Sequence, residues 1–310
     1  MLKIRVMRLT LPFFTTRRLL LPVLALGLLF GACGNSKESD ADDLVESQDT
    51  VKASVLNVAG ELFSVPSPIQ TALLIQKSGL AYDKNMLNPS NKVNTYSTEF
   101  LRTLNLGVYG ADLAYVSLYS QTQDALGYLA AVKQLTDKLG ISNAFDEGTM
   151  NRFKNNITNK DSMMVLVGIA YRGSDAYLKN NQRSDVSSLI LAGGWIESMY
   201  FSTNSYKTKA SKELKYRIAE QKQALNSLVR ILSMNTNEEV KNLTESLKTL
   251  QNVFDGIEFK YTFVEPEHDT IKKVTYINSS TEVIVNEDQM NQIVTQVEKI
   301  RSSVTSNSKS

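Results

Sequence analysis

The sequence predicts a mostly α fold: an irregular multi-helix bundle with a small C-terminal β-hairpin. Three observations carry this. Apolar residues recur every three or four positions through most of the chain beyond residue 67. The stretch 106–117 (LGVYGADLAYVS) returns at 191–202 as LAGGWIESMYFS, without a gap. After Gly256 the apolar period drops from 3.6 to two.

Taken in order, residues 51–65 read as a short strand or an irregular segment. Ser67 and Pro68 open a helix over 67–82, with serine at the cap and proline at the first helical position. An Asn-rich loop with Pro89 follows. Leu104, Val108, Ala111, Tyr115 and Leu118 mark a helix over 98–120, and the next spans 122–139 and stops at Gly140. A short helix is expected over 146–156 and another over 161–180, capped by Asp161. The echo lies in a helix over 184–202. A single amphipathic helix is expected over 207–232, and Thr236 with Glu239 forms a capping box for 238–254. Ile257, Phe259, Tyr261 and Phe263 alternate as a strand, a turn at 265–269 leads to a second strand over 271–277, and 281–285 adds a third. Asn286 caps the last helix. The pairs 67–82 with 98–120 and 161–180 with 184–202 share an order, which suggests diverged duplicate hairpins. Chance likeness among amphipathic helices is the alternative.

Composition narrows the function classes. Of 310 residues, 42% are hydrophobic and 21% charged, ordinary for a globular protein. Lys3, Arg5, Arg8, Arg17 and Arg18 precede the one cysteine with no acid among them, so removing a leader with these five cations turns the formal charge of +2 into −3. A mildly acidic mature chain gives no electrostatic case for nucleic acid. One cysteine and one histidine, Cys33 and His268, give no disulfide framework and too few ligands for a zinc or iron site. No cofactor or metal is expected, and no catalytic residue is assigned.

Residues 1–32 read as a signal peptide, with a basic start and an apolar run of about 12 residues, too short to span a bilayer. Phe30-Gly31-Ala32-Cys33 resembles the lipobox of bacterial lipoproteins, with Phe30 departing from the usual leucine. The resemblance implies cleavage before Cys33 and lipid on it, and several acyl chains anchor firmly where one binds reversibly. Residues 33–60 read as anchor and acidic flexible tether. Their Lys37-Glu38-Ser39-Asp40 run is similar to the export signal of Bacteroidetes surface lipoproteins, although a plain acidic linker serves as well. With the words around residues 106–115 and 191–200, the chain resembles Bacteroidetes-type envelope lipoproteins, a likeness that implies no activity. It implies an outer-membrane location on an undecided face, with the membrane and an envelope protein or small ligand as partners. Domains are expected at 61–256 (helical), at 257–302 (a hairpin with the last helix packed on it) and at 303–310 (a disordered tail).

The candidate ligand-binding residues are Asp112, Glu197, Tyr115, Tyr200 and Trp195. A carboxylate on an apolar helix face is costly unless paired. Two such acids at matching places in an echo either converge on a pocket, for acid–base work, or are each satisfied by a tyrosine hydroxyl, a helix N-terminus or an arginine such as Arg102, Arg172 or Arg183. The aromatics read as core or as the wall of an apolar cavity. Ala192-Gly193-Gly194, poor helix formers, read as a close approach of another helix or of a ligand. Asp49-Thr50-Val51, Asp161-Ser162-Met163 and Asp269-Thr270-Ile271 are similar to the Bacteroidetes O-glycosylation site, a short motif near chance frequency. His268 lies among acids in a solvated turn, where a metal could be caught weakly.

Overall fold

A computed structural model describes residues 54–58, 61–65, 68–145 and 147–306. Cys33, the leader and Asp49-Thr50-Val51 lie outside the described residues. The fold is mostly α with small antiparallel β elements, as the periodicities predict.

The first element is a hairpin, β1 (Ser54–Val58) with β2 (Glu61–Val65), in register Ser54↔Val65 through Val58↔Glu61. The stretch assigned to the tether through residue 60 therefore contains a paired strand. Helix α1 (Pro68–Lys77) follows, and then a loop of two short 3-10 turns. Helix α2 (Glu99–Leu118) begins where Thr98 Oγ1 accepts the Leu101 N–H at 3.1 Å. Helix α3 (Thr122–Lys138) ends at Gly140, whose φ of +65° is the left-handed turn that glycine adopts without strain.

Helix α4 (Glu147–Asn156) is short, and α5 (Lys160–Asn180) is capped by Asn159 rather than Asp161. Asn159 Oδ1 reaches the Ser162 N–H, which leaves Asp161 in the first turn, where its charge still suits the helix dipole. Helix α6 (Ser184–Thr208) runs six residues past its expected end. Its late Ser and Thr residues do not stop it because they bond back one turn: Ser202 to Ser198 O, Thr203 to Met199 O and Thr208 to Asn204 O. The helix expected over 207–232 is consequently two, α7 (Lys212–Ala219) opened by Ser211, and α8 (Gln221–Ser233). Glu220 joins them in a helical backbone conformation, so Leu214, Ile218, Leu225, Leu228 and Leu232 keep one buried stripe across the break.

Helix α9 (Glu238–Asp255) is capped by Asn237, not Thr236, since Asn237 Oδ1 takes the Glu239 N–H at 2.8 Å. Glu239 is thereby free to accept from the Thr98 hydroxyl at the head of α2. Asn286 and Gln289 form the capping box of α10 (Glu287–Thr305). This helix reaches past the expected tail boundary at 303, with Val304 and Thr305 buried and the Val304 carbonyl accepting from Asn105 Nδ2 at 2.9 Å. Met290, Ile293, Val297 and Ile300 place α10 against α9 and α6, so it belongs to the helical unit.

Residues 259–282 fall outside the helical unit. Strand β3 (Glu258–Thr262) pairs with β6 (Ser280–Ile284), and β4 (Glu267–Asp269) with β5 (Val274–Tyr276) in antiparallel register. The turn lies at 270–273, not 265–269, because Asp269 Oδ1 captures the N–H groups of Ile271 and Lys272 at 3.1 and 2.9 Å and Lys273 turns at φ +52°. His268 therefore sits in a strand, its Nδ1 3.0 Å from the Thr275 hydroxyl. Phe259, Tyr261 and Phe263 do alternate, but all three are exposed.

In the helical unit, α2 and α6 form the central pair, and α1 and α5 each pack against both. The crossing is close because it is made of glycines. A Cβ on Gly193 would overlap the Leu104 carbonyl oxygen, and one on Gly107 would overlap the Ile190 carbonyl oxygen. The weak helix formers in α6 thus serve helix-on-helix approach.

Candidate functional site

This crossing brings the two echo helices together where each carries its acid. Asp112 and Glu197 are both fully buried. Arg301, on α10, closes the group: Nε and Nη2 donate to Glu197 Oε2 and Oε1 at 3.0 Å each, a bidentate pair. Nη2 also lies 3.3 Å from the Met86 carbonyl, and the guanidinium stacks 4.4 Å above the Tyr200 ring.

The 83–96 loop supplies the rest of a buried polar layer. Asn88 Nδ2 donates to the Tyr96 hydroxyl at 2.8 Å and to Asn105 Oδ1 at 3.1 Å. The Tyr128 hydroxyl donates to the Asn88 carbonyl, and that of Tyr109 to the Pro89 carbonyl. Loop, α2, α3, α6 and α10 thus share one network below the surface.

Its charges are matched with one proton. Glu197 and Arg301 cancel. Asp112 is left with both oxygens outside hydrogen-bond geometry, although the Glu197 carboxyl and the Asn88 N–H are close enough to act on it. Burial, and then the negative charge of Glu197, raise the Asp112 pKa well above the carboxylate range, against the pull of Arg301. Burial raises Glu197 too, opposed by Arg301 and by Asp112. Burial alone would lower the Arg301 pKa, but Glu197 outweighs it and holds the guanidinium charged. Both shifts favour a proton in the group, and the Arg301 pairing of Glu197 favours Asp112 as its holder.

The sign of the pH effect follows. Above about pH 4 the unfolded chain releases the Asp112 proton while the folded chain keeps it, so stability falls as pH rises toward the raised pKa. Asp112→Asn is expected to flatten this decline and to gain most over wild type at the alkaline end, in urea unfolding followed from about pH 4 to 9. A variant whose pH profile parallels wild type would place the proton elsewhere.

Of the other candidates, Tyr115 is buried against Phe201 and Tyr119, with both ring centroids at 4.9 Å, and its hydroxyl accepts the Asp83 N–H. Trp195 is buried and donates to Gln221 Oε1 at 3.2 Å. Tyr200 joins Glu197 through Arg301, while Tyr115 and Trp195 have their own partners. Neither acid is paired with the arginines expected: Arg102 binds the Tyr96 and Ser97 carbonyls, and Arg183 pairs with Glu99 at 2.8 Å. The partner sequence reasoning missed, Arg301, carries the same signal as Asp112. It falls on the apolar stripe of its helix, four residues past Val297 and three before Val304.

Among the described residues no three His, Cys, Asp or Glu side chains gather as a metal site. Chemically, the layer can hold a proton and lock α2, α6 and α10 together. No family model matches the sequence, and no curated protein or solved structure matches it.

Proposed function

We propose that this chain is a binding or scaffold module of the bacterial envelope, held at a membrane by lipid on Cys33. The carrying observation is that Asp112 and Glu197, for which acid–base work is one of two readings, are sealed from solvent, with Glu197 paired to Arg301. A general acid or base must come within hydrogen-bond reach of a substrate proton, directly or through one water. Burial of both carboxylates removes that reach and favours binding over an acid–base enzyme. The signal-like leader, the lipobox-like residues before Cys33 and the acidic stretch after it support the membrane location, with the outer membrane the expected place. No helix among the described residues is long and apolar enough to cross a membrane, so the reading rests on lipid for attachment. Its partners are the membrane itself and an envelope protein or small ligand.

Cys33→Ala tests the location. The variant is expected to lose its lipid label and to move from the membrane pellet to the soluble fraction. A Cys33→Ala protein that stays in the pellet, still labelled, would end the reading.

A further inference from the structure

Nine large apolar side chains stand exposed among the described residues, and six of them fall within 259–277: Phe259, Tyr261, Phe263, Val264, Ile271 and Ile277. Tyr261 is 63% exposed, Phe263 68%, and Ile271, in the turn, 93%. Strand β3 is open at all five positions, so neither of its faces is covered. The two strand pairs belong to one ribbon. Between them the Val264 N–H donates to Ser279 Oγ at 3.0 Å and the Ser279 hydroxyl donates to the Val264 carbonyl at 3.1 Å, a side chain filling the place of a ladder partner. A two-stranded hairpin on its own is marginal in water. Exposed carbon gathered in one such segment marks a surface that something else covers.

Extent, charge and reach point to the cover. From Phe259 to Ile271 the extended chain runs up to about 40 Å at 3.3 Å per residue, and exposed carbon recurs along it. A small ligand would touch one or two of these side chains, so the cover is itself an extended surface. Residues 259–282 carry three lysines against four acids, too even a balance to draw in a strongly charged macromolecule. Two of the lysines, Lys272 and Lys273, directly follow Ile271 in the turn, where Asp269 holds the first at 3.1 Å. Phenylalanine, tyrosine and isoleucine beside lysine suit the boundary of a zwitterionic bilayer. Rings and aliphatic carbon enter it, while hydroxyl and ammonium groups stay at the phosphates. Reach supplies the rest. Residues 33–54 span about 70 Å at most, so lipid on Cys33 keeps a bilayer within that distance of the start of β1.

We propose that the 259–282 ribbon lies on the bilayer to which Cys33 tethers the chain, with its exposed apolar side chains at the level of the glycerol and upper acyl carbons. This goes beyond the binding reading above, by giving the folded chain a lipid-contacting surface, and rests on that reading for the anchor. Because the anchor holds the bilayer close, the ribbon needs little affinity of its own.

The test uses the full-length protein in vesicles of phosphatidylcholine and phosphatidylethanolamine whose acyl chains carry bromine, a quencher of tryptophan. The chain's one tryptophan, Trp195, is buried, so wild type is its own control. The emission of Phe263→Trp and of Ile271→Trp is expected to shift to the blue and to fall with brominated lipid, while that of wild type stays. Phe259→Ser and Tyr261→Ser, added to Phe263→Trp, should lower the quenched share about tenfold, since each serine removes a large apolar side chain from the contact. These positions are exposed, so helix content should not change. If the serines loosen the ribbon, Phe263→Trp alone decides. Added tryptophans quenched no more than Trp195 overturn the proposal. If they are shielded from aqueous iodide as well, and the chain sediments as a dimer, the cover is a second copy. The anchor is tested apart: anchored protein without quenching loses only the ribbon contact, and Cys33→Ala protein that stays lipid-labelled and quenched loses only the anchorage.

Discussion

Arg301→Met is expected to cost about 3–5 kcal/mol of folding stability, the loss seen when one member of a buried ion pair is removed. The Glu197 carboxylate would be left fully buried, with its two hydrogen bonds gone and the neutral Asp112 beside it. For a unit of this size the loss is a fall in Tm of about 10 °C. Glu197→Gln should cost a similar amount, because it strands a guanidinium whose remaining contacts are one long bond to the Met86 carbonyl and the Tyr200 ring. The double variant E197Q/R301M is the informative one. It removes both charges, so it should be more stable than either single variant, with a coupling of 1–3 kcal/mol by order of magnitude, about what neighbouring buried groups show. Urea unfolding of the four proteins closes the cycle. Additive losses would mean that the pair does not act as a pair.

Why the pair escaped sequence reasoning, while the helices did not, is a matter of range. Helix boundaries depend on neighbours within one turn, and the local grammar is sound where it is simple: Asn286 before α10 and Gly140 after α3 act at their expected ends. It slipped by one or two residues where two capping residues competed, Asn159 over Asp161 and Asn237 over Thr236. It failed at 207–232 because the apolar stripe runs straight through the break, so periodicity alone could not mark it. Asp112 and Glu197 were legible as acids out of place. Their partner lies 104 residues beyond Glu197, and nothing local to either acid points to it.

Gly193→Ala gives the second large effect, and its sign separates two forces. In an isolated helix alanine is better than glycine by about 1 kcal/mol, so propensity alone predicts stabilisation. At the α2–α6 crossing the added Cβ would overlap the Leu104 carbonyl oxygen and lie 2.8 Å from its carbon, and neither is a side chain that can swing away. Gly107→Ala meets the Ile190 carbonyl in the same way, with the Gly194 nitrogen at 2.7 Å. Each substitution must push two helices apart along the seam that positions Asp112 against Glu197, and overpacking of this kind costs about 3 kcal/mol or more. Gly173, on α5, is the control: nothing lies within 4 Å of where its Cβ would be, so Gly173→Ala should follow propensity and gain about 1 kcal/mol. Thermal melts of the three variants are thus expected to move in opposite directions. If Gly193→Ala and Gly107→Ala melted above wild type as Gly173→Ala does, α2 and α6 would not meet through their backbones, and the sealed carboxylate pair would lose the geometry that creates it.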